Sequence, residues 1–169
     1  MLLRINRNNA SNKENYMHIV HTDPMQQPVA AELAQKIHQA LPAGSSNLCC
    51  ATNADLDEAE VVLAIFSLKQ GSFAPTVPCF RELADKKVAY LAILIGEVDT
   101  SRVHKTVWGV KKQFCGNEVV GAYLCPSPDD VVWGPTEAEV TKSVNFARRL
   151  LDEHGNALSE GQPPLAVNY

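Results

Sequence analysis

Two uninterrupted apolar runs restrict the folds open to this chain more than any other feature. Val61-Val62-Leu63-Ala64-Ile65-Phe66 and Val88-Ala89-Tyr90-Leu91-Ala92-Ile93-Leu94-Ile95 are rich in β-branched and aliphatic residues and show no polar alternation. A strand with one wet face alternates apolar and polar residues. An unbroken run therefore fits a strand covered on both faces, as in a parallel sheet held between helices. Both runs are shorter than the roughly 20 residues a membrane-spanning helix needs. Val119-Val120-Gly121-Ala122-Tyr123-Leu124 is a weaker strand of the same kind. Met17-His18-Ile19-Val20-His21 and Asn47-Leu48-Cys49-Cys50-Ala51 complete a set of five.

Helical spacing fills the intervals. Val29, Ala30, Leu33, Ala34, Ile37 and Leu41 recur at the period of a helix that begins at Pro28 and is stopped by Pro42-Ala43-Gly44. Further helices are expected over Val77 to Ala84, Ser101 to Phe114 and Thr136 to Glu153. The last places Val140, Val144, Ala147, Leu150 and Leu151 on one face. Asp55 to Ala59 reads as an acidic turn or short helix. Strands alternating with helices over 169 residues define one doubly wound α/β domain with a five-stranded parallel sheet, for which 2-1-3-4-5 is one strand order. The domain is expected over residues 17–153, with a flexible polar leader at 1–16 and a Pro/Gly-containing tail at 154–169.

Charge and cysteine usage narrow the function. A formal charge of -4 disfavours a broad basic face for nucleic acid or anionic lipid. The N-terminus carries charges and asparagines where a signal peptide is apolar, and the five cysteines are odd in number with no C-x-x-C spacing. Reduced thiols and a cytoplasmic protein are the expectation. Cys49 and Cys50, adjacent on a strand, face opposite ways and are expected to pack rather than to act as a redox pair. His18 and His21 are likewise on opposite faces, which disfavours a shared metal. Trp108, Trp133 and Phe146 are expected to pack the helices, and an exposed Trp133 would mark an interface. Asp99, near Glu97, reads as a helix cap. No G-x-S-x-G, P-loop or G-x-G-x-x-G motif occurs.

In an open parallel sheet a ligand sits beyond the carboxyl ends of the strands, where the strand order reverses. The loops that matter are then His21 to Gln27, Phe66 to Pro75 and Gly96 to Thr100. His21 reaches this crevice either as a ligand contact or as an ordinary strand-end histidine.

The element lengths resemble the flavodoxin family. The segment from Val61 to about Cys125 is similar to a single-domain flavodoxin-like branch that includes bilin-reducing proteins. The likeness rests on the strand end and loop with Phe66, Lys69 and Gly71, and on a helix ending near Phe80 and Leu83. It continues through Asp85-Lys86-Lys87-Val88-Ala89, Asp99-Thr100-Ser101 and Asn117-Glu118-Val119-Val120-Gly121-Ala122-Tyr123-Leu124-Cys125-Pro126. The resemblance implies a flavodoxin-like three-layer α/β/α sandwich on a five-stranded parallel sheet of order 2-1-3-4-5, FMN as cofactor, electron transfer or reduction, and a redox partner protein. It assigns FMN contacts to Thr22, Gln26, Gln27, Phe66, Ser67, Lys69, Gly71 and Gly96, with no catalytic residue and no metal.

The chain departs from the family where phosphate is held. The family's first loop is Ser/Thr-x-Thr-Gly-x-Thr, whereas Thr22-Asp23-Pro24-Met25-Gln26-Gln27-Pro28 has two prolines, a carboxylate and no glycine. Prolines remove backbone donors, and without glycine a tight anion nest is disfavoured. In the fourth-strand loop, Ala92-Ile93-Leu94-Ile95 before Gly96 replaces Gly-Thr-x-Gly. Phe66 and Phe73 are the nearby rings, and each either stacks on flavin or closes the core. Two functions follow: FMN-dependent electron transfer or reduction, and a cofactor-free flavodoxin-fold module for interaction or regulation.

Overall fold

The computed structural model of the chain describes residues 16–69, 78–96, 100–127 and 134–155. Five parallel strands form its centre: β1 (Met17–His21), β2 (Ser46–Cys50), β3 (Val61–Lys69), β4 (Lys87–Ile95) and β5 (Glu118–Ser127). They lie in the order β2-β1-β3-β4-β5, as expected from the sequence. The helices are α1 (Pro28–Ala40), α2 (Pro78–Glu82), α3 (Thr100–Gln113) and α4 (Glu137–Gly155).

The unbroken apolar runs do what their composition requires. Successive side chains of a strand alternate between faces. Leu63, Ile65, Ala89, Leu91 and Ile93 enter one core layer with α1 and α4, through Leu33, Ile37, Phe146 and Leu150. Val62, Ala64, Phe66, Val88, Tyr90 and Ala92 enter the other with α2 and α3, through Phe80, Leu83, Val107, Val110 and Phe114. In this second layer Phe66 lies 6.4 Å from Phe80 and 6.3 Å from Tyr90 between ring centroids. Phe114 closes the cluster at 5.4 Å from Phe80 and 6.1 Å from Tyr90.

Several boundaries differ from the sequence reading, and β5 runs three residues past Leu124 to Ser127. β3 runs on to Lys69 because Ser67, Leu68 and Lys69 pair with Ile93, Leu94 and Ile95. α2 is a single short helix from Pro78 to Glu82, and α4 continues two residues beyond Glu153. Trp108 does not pack the helices: it is 62% exposed on α3. The buried side of that helix is taken by Val107, Val110 and the following Phe114, and Trp108 is turned about 100° from Val107. Phe146 is buried as expected. Trp133, Phe73, Glu97 and Asp99 lie outside the described residues, as do nearly all of the expected leader and tail.

The outer strand β5 is fastened to α4 by a polar contact. The Tyr123 hydroxyl donates to Glu139 at 2.7 Å, and Lys142 Nζ donates to the same carboxylate at 2.7 Å. The Lys142 hydrogen bond, then that of Tyr123, hold the Glu139 carboxyl below its usual value of 4.5. A carboxyl lowered in the folded state adds stability above its unfolded value, and this is lost as pH falls through the folded one. Urea titrations should therefore show a steeper loss of stability below pH 4.5 in the wild type than in Tyr123→Phe. Phe114→Ala, which removes one buried ring of the aromatic cluster, should lower the free energy of unfolding by about 3–5 kcal/mol in the same assay.

Candidate functional site

The strand order reverses between β1 and β3, so the crevice of interest opens at the carboxyl end of this pair. The pair is unequal in length. β1 stops at His21, opposite Ile65, whereas β3 continues to Lys69. In a parallel strand alternate residues direct both peptide groups toward the same neighbour. Ile65 faces β1, since its carbonyl accepts from Thr22 N at 3.2 Å. Ser67, two residues on, also faces the β1 side, where the strand has ended. Buried peptide groups in this position need partners.

Gln27 supplies them. Its Oε1 accepts from Ser67 N at 3.0 Å, and its Nε2 donates to Ser67 O at 3.1 Å. One side-chain amide thus pairs with both peptide groups of Ser67, continuing the ladder by one step. The Thr22 hydroxyl donates to the same Gln27 Oε1. Thr22 and Ser67 are both buried. The three residues form a closed network across the switch point.

Most backbone donors in the rest of the first loop are taken up by local turn bonds. Gln26 N and Gln27 N donate to the Asp23 carbonyl at 3.0 and 2.8 Å. Met25 N donates to Asp23 Oδ1 at 2.9 Å, an Asx turn. Pro24 has no N–H, and α1 begins at Pro28, which has none either. The backbone donors of Thr22, Met25, Gln26 and Gln27 are therefore all engaged within the protein. At the loop tip Met25 is 90% exposed. His21 is a strand-end histidine whose Nδ1 donates to the Thr22 carbonyl at 2.8 Å.

The remaining sequence-derived contacts separate. The Phe66 ring is 2% exposed and belongs to the aromatic core on the α2/α3 face. Gln26 is exposed at the turn. Gly96 ends β4 in the positive-φ region at 91°, with its N–H donated to Ser127 O at 3.0 Å. It follows the last residue of β4 and extends the β4–β5 ladder by one hydrogen bond. Lys69 closes β3, but its side chain and all of Gly71 lie outside the described residues. Thr22, Gln27 and Ser67 are thus brought together, with Gln26 and Gly96 at the same end of the sheet.

Other chemistry is quiet. Burial pushes the Cys125 thiol up to about 11 and also raises that of Cys49, so both favour the inert protonated form. No group of residues able to hold a metal occurs among the described residues. No helix among them is long and apolar enough to cross a membrane.

No protein-family model matches the sequence, and no curated protein matches it. Solved structures do. A flavodoxin of Streptococcus pneumonia TIGR4 superposes with a TM-score of 0.54 at 14% identity, over 82% of this chain and 99% of that one. A WrbA-like flavodoxin from Agrobacterium tumefaciens gives 0.51 at 11% identity, over 82% and 96%. A short-chain flavodoxin associated with a non-canonical PDU bacterial microcompartment gives 0.50 at 12%, over 82% and 98%. The chain has a divergent flavodoxin-like fold.

Gln27→Glu removes the donor to Ser67 O and sets a carboxylate oxygen against that carbonyl. It should destabilise the protein by about 1–3 kcal/mol in urea denaturation at neutral pH. Gln26→Glu, at an exposed position one residue away, should be close to neutral.

Proposed function

We propose that this chain is a flavodoxin-fold protein whose first loop is closed to phosphate, and that it works as a cofactor-free interaction module. The observation that carries this reading is the Gln27 side chain bridging Thr22 and Ser67. A dianionic phosphate needs several N–H or O–H groups directed at it. Most of the loop's backbone donors are already engaged in turn bonds, two positions are prolines, and Asp23 adds a carboxylate. At close range a carboxylate repels a phosphate by about 1 kcal/mol in water and by several when both are partly desolvated. The loop does not fit the FMN phosphate.

The ring side of the assignment points the same way. Phe66, the nearest described aromatic, is enclosed among Phe80 and Tyr90 and cannot also stack on a flavin without leaving the core. What remains is a well-packed sandwich with exposed apolar side chains at Met25 and Trp108. That combination suits a protein that works through its surface.

The rival reading, FMN-dependent electron transfer or reduction with a redox partner protein, draws on the fold likeness and on the Lys69-x-Gly71 loop of the sequence resemblance. One experiment separates the two. The purified protein should be colourless, and titration into FMN should leave flavin fluorescence unquenched up to high micromolar protein. Saturable quenching at one FMN per chain would overturn the cofactor-free reading.

A further inference from the structure

The outer surface of α3 differs in charge from the rest of this acidic protein. Its sequence, Thr100-Ser101-Arg102-Val103-His104-Lys105-Thr106-Val107-Trp108-Gly109-Val110-Lys111-Lys112-Gln113, contains no Asp or Glu. Lys105, Trp108 and Lys112 fall at i, i+3 and i+7, so they form one stripe along the helix. All three are exposed. Trp108 is 62% exposed, and Lys112 Nζ stands 3.7 Å from the centroid of its ring. The cation–π contact orients the indole against the helix and leaves an aromatic surface beside positive charge.

We infer that the Lys105–Trp108–Lys112 stripe of α3 docks an acidic protein segment, a helix presenting carboxylates about 10 Å apart with an apolar side chain between them. The inference rests on the interaction-module reading and names the partner class. An exposed tryptophan with one cation held over its ring and a second lysine on the same stripe has the composition of an interface anchor. The length of the patch decides the kind of partner. Fourteen residues of helix extend about 21 Å, enough for a short acidic segment. A nucleic acid or an anionic bilayer continues beyond that length and meets the remaining surface of a chain whose net charge is -4. A single aromatic also provides one stacking position rather than the row that single-stranded nucleic acid uses.

The test uses the full-length chain at low salt and fluorescence anisotropy. The probe is a labelled helical peptide with glutamates seven residues apart and leucine between them. Its glutamine counterpart, a single-stranded oligonucleotide and phosphatidylserine vesicles are run in parallel. The acidic peptide should bind saturably and weaken as salt rises. Trp108→Ala and Lys112→Glu should each lower its affinity at least tenfold. Lys36→Glu, which makes the same charge change on α1, should alter it less than twofold. Circular dichroism checks that each variant is folded, which surface positions should permit.

Absence of peptide binding, equal binding by wild type and Lys112→Glu, or equal loss in Lys36→Glu would overturn the inference. So would equal binding of the glutamine peptide, or tighter binding of the oligonucleotide or the vesicles. FMN fluorescence in the same preparations reads the cofactor question separately, because α3 docking is scored by the variants and flavin binding by quenching.

Discussion

A parallel sheet whose neighbouring strands differ in length exposes peptide groups at its end, and a buried sheet end has to satisfy them. β1 has five residues and β3 nine. Ser67 therefore projects its peptide groups past the last residue of β1, toward the loop that leads into α1. The Gln27 amide matches this demand because it carries a donor and an acceptor side by side, as a peptide does. Once Gln27 is committed there, Thr22 closes onto it, Asp23 turns the intervening residues, and Pro28 starts the helix. The Gln27 amide and the Ser67 peptide groups are then occupied within the protein. The chemistry of the loop is set by the sheet beneath it.

The architecture was legible in the sequence because burial leaves a strong pattern. Val61 to Phe66 and Val88 to Ile95 are apolar at every position, and only a sheet covered on both faces accommodates that. The strands and helices followed from this pattern and the spacing between the runs, and the order 2-1-3-4-5 from the resemblance to flavodoxins. The extension of β3 to Lys69 was not legible, since Ser67 and Lys69 look like loop residues until their pairing with β4 is known.

The site was legible in part. The sequence showed that the first loop lacked glycine and carried Asp23 and two prolines. Which way its polar groups pointed depends on register. Gln27 stands opposite Ser67 only because β1 ends at His21, a tertiary fact with no local signature. Phe66 was ambiguous for a related reason: an aromatic at a strand end can face either way, and strand parity assigns it to the α2/α3 layer. Trp108 was misjudged because helical aromatics are usually buried, yet the valines at 107 and 110 already occupy the inner face of α3. The proposed docking surface lies on the flank of the sheet, where Lys105 and Lys112 of α3 flank the exposed Trp108.

The central claim is that the Thr22–Gln27–Ser67 network closes the switch point to phosphate. Its most direct test is a two-dimensional amide NMR titration of the full chain with FMN and with inorganic phosphate. The account predicts that the backbone amides of Thr22, Met25, Gln26, Gln27 and Ser67 and the Gln27 side-chain amide keep their shifts, with Ser67 slow to exchange with solvent. Saturable movement of these resonances with either ligand, together with loss of Ser67 protection, would contradict it.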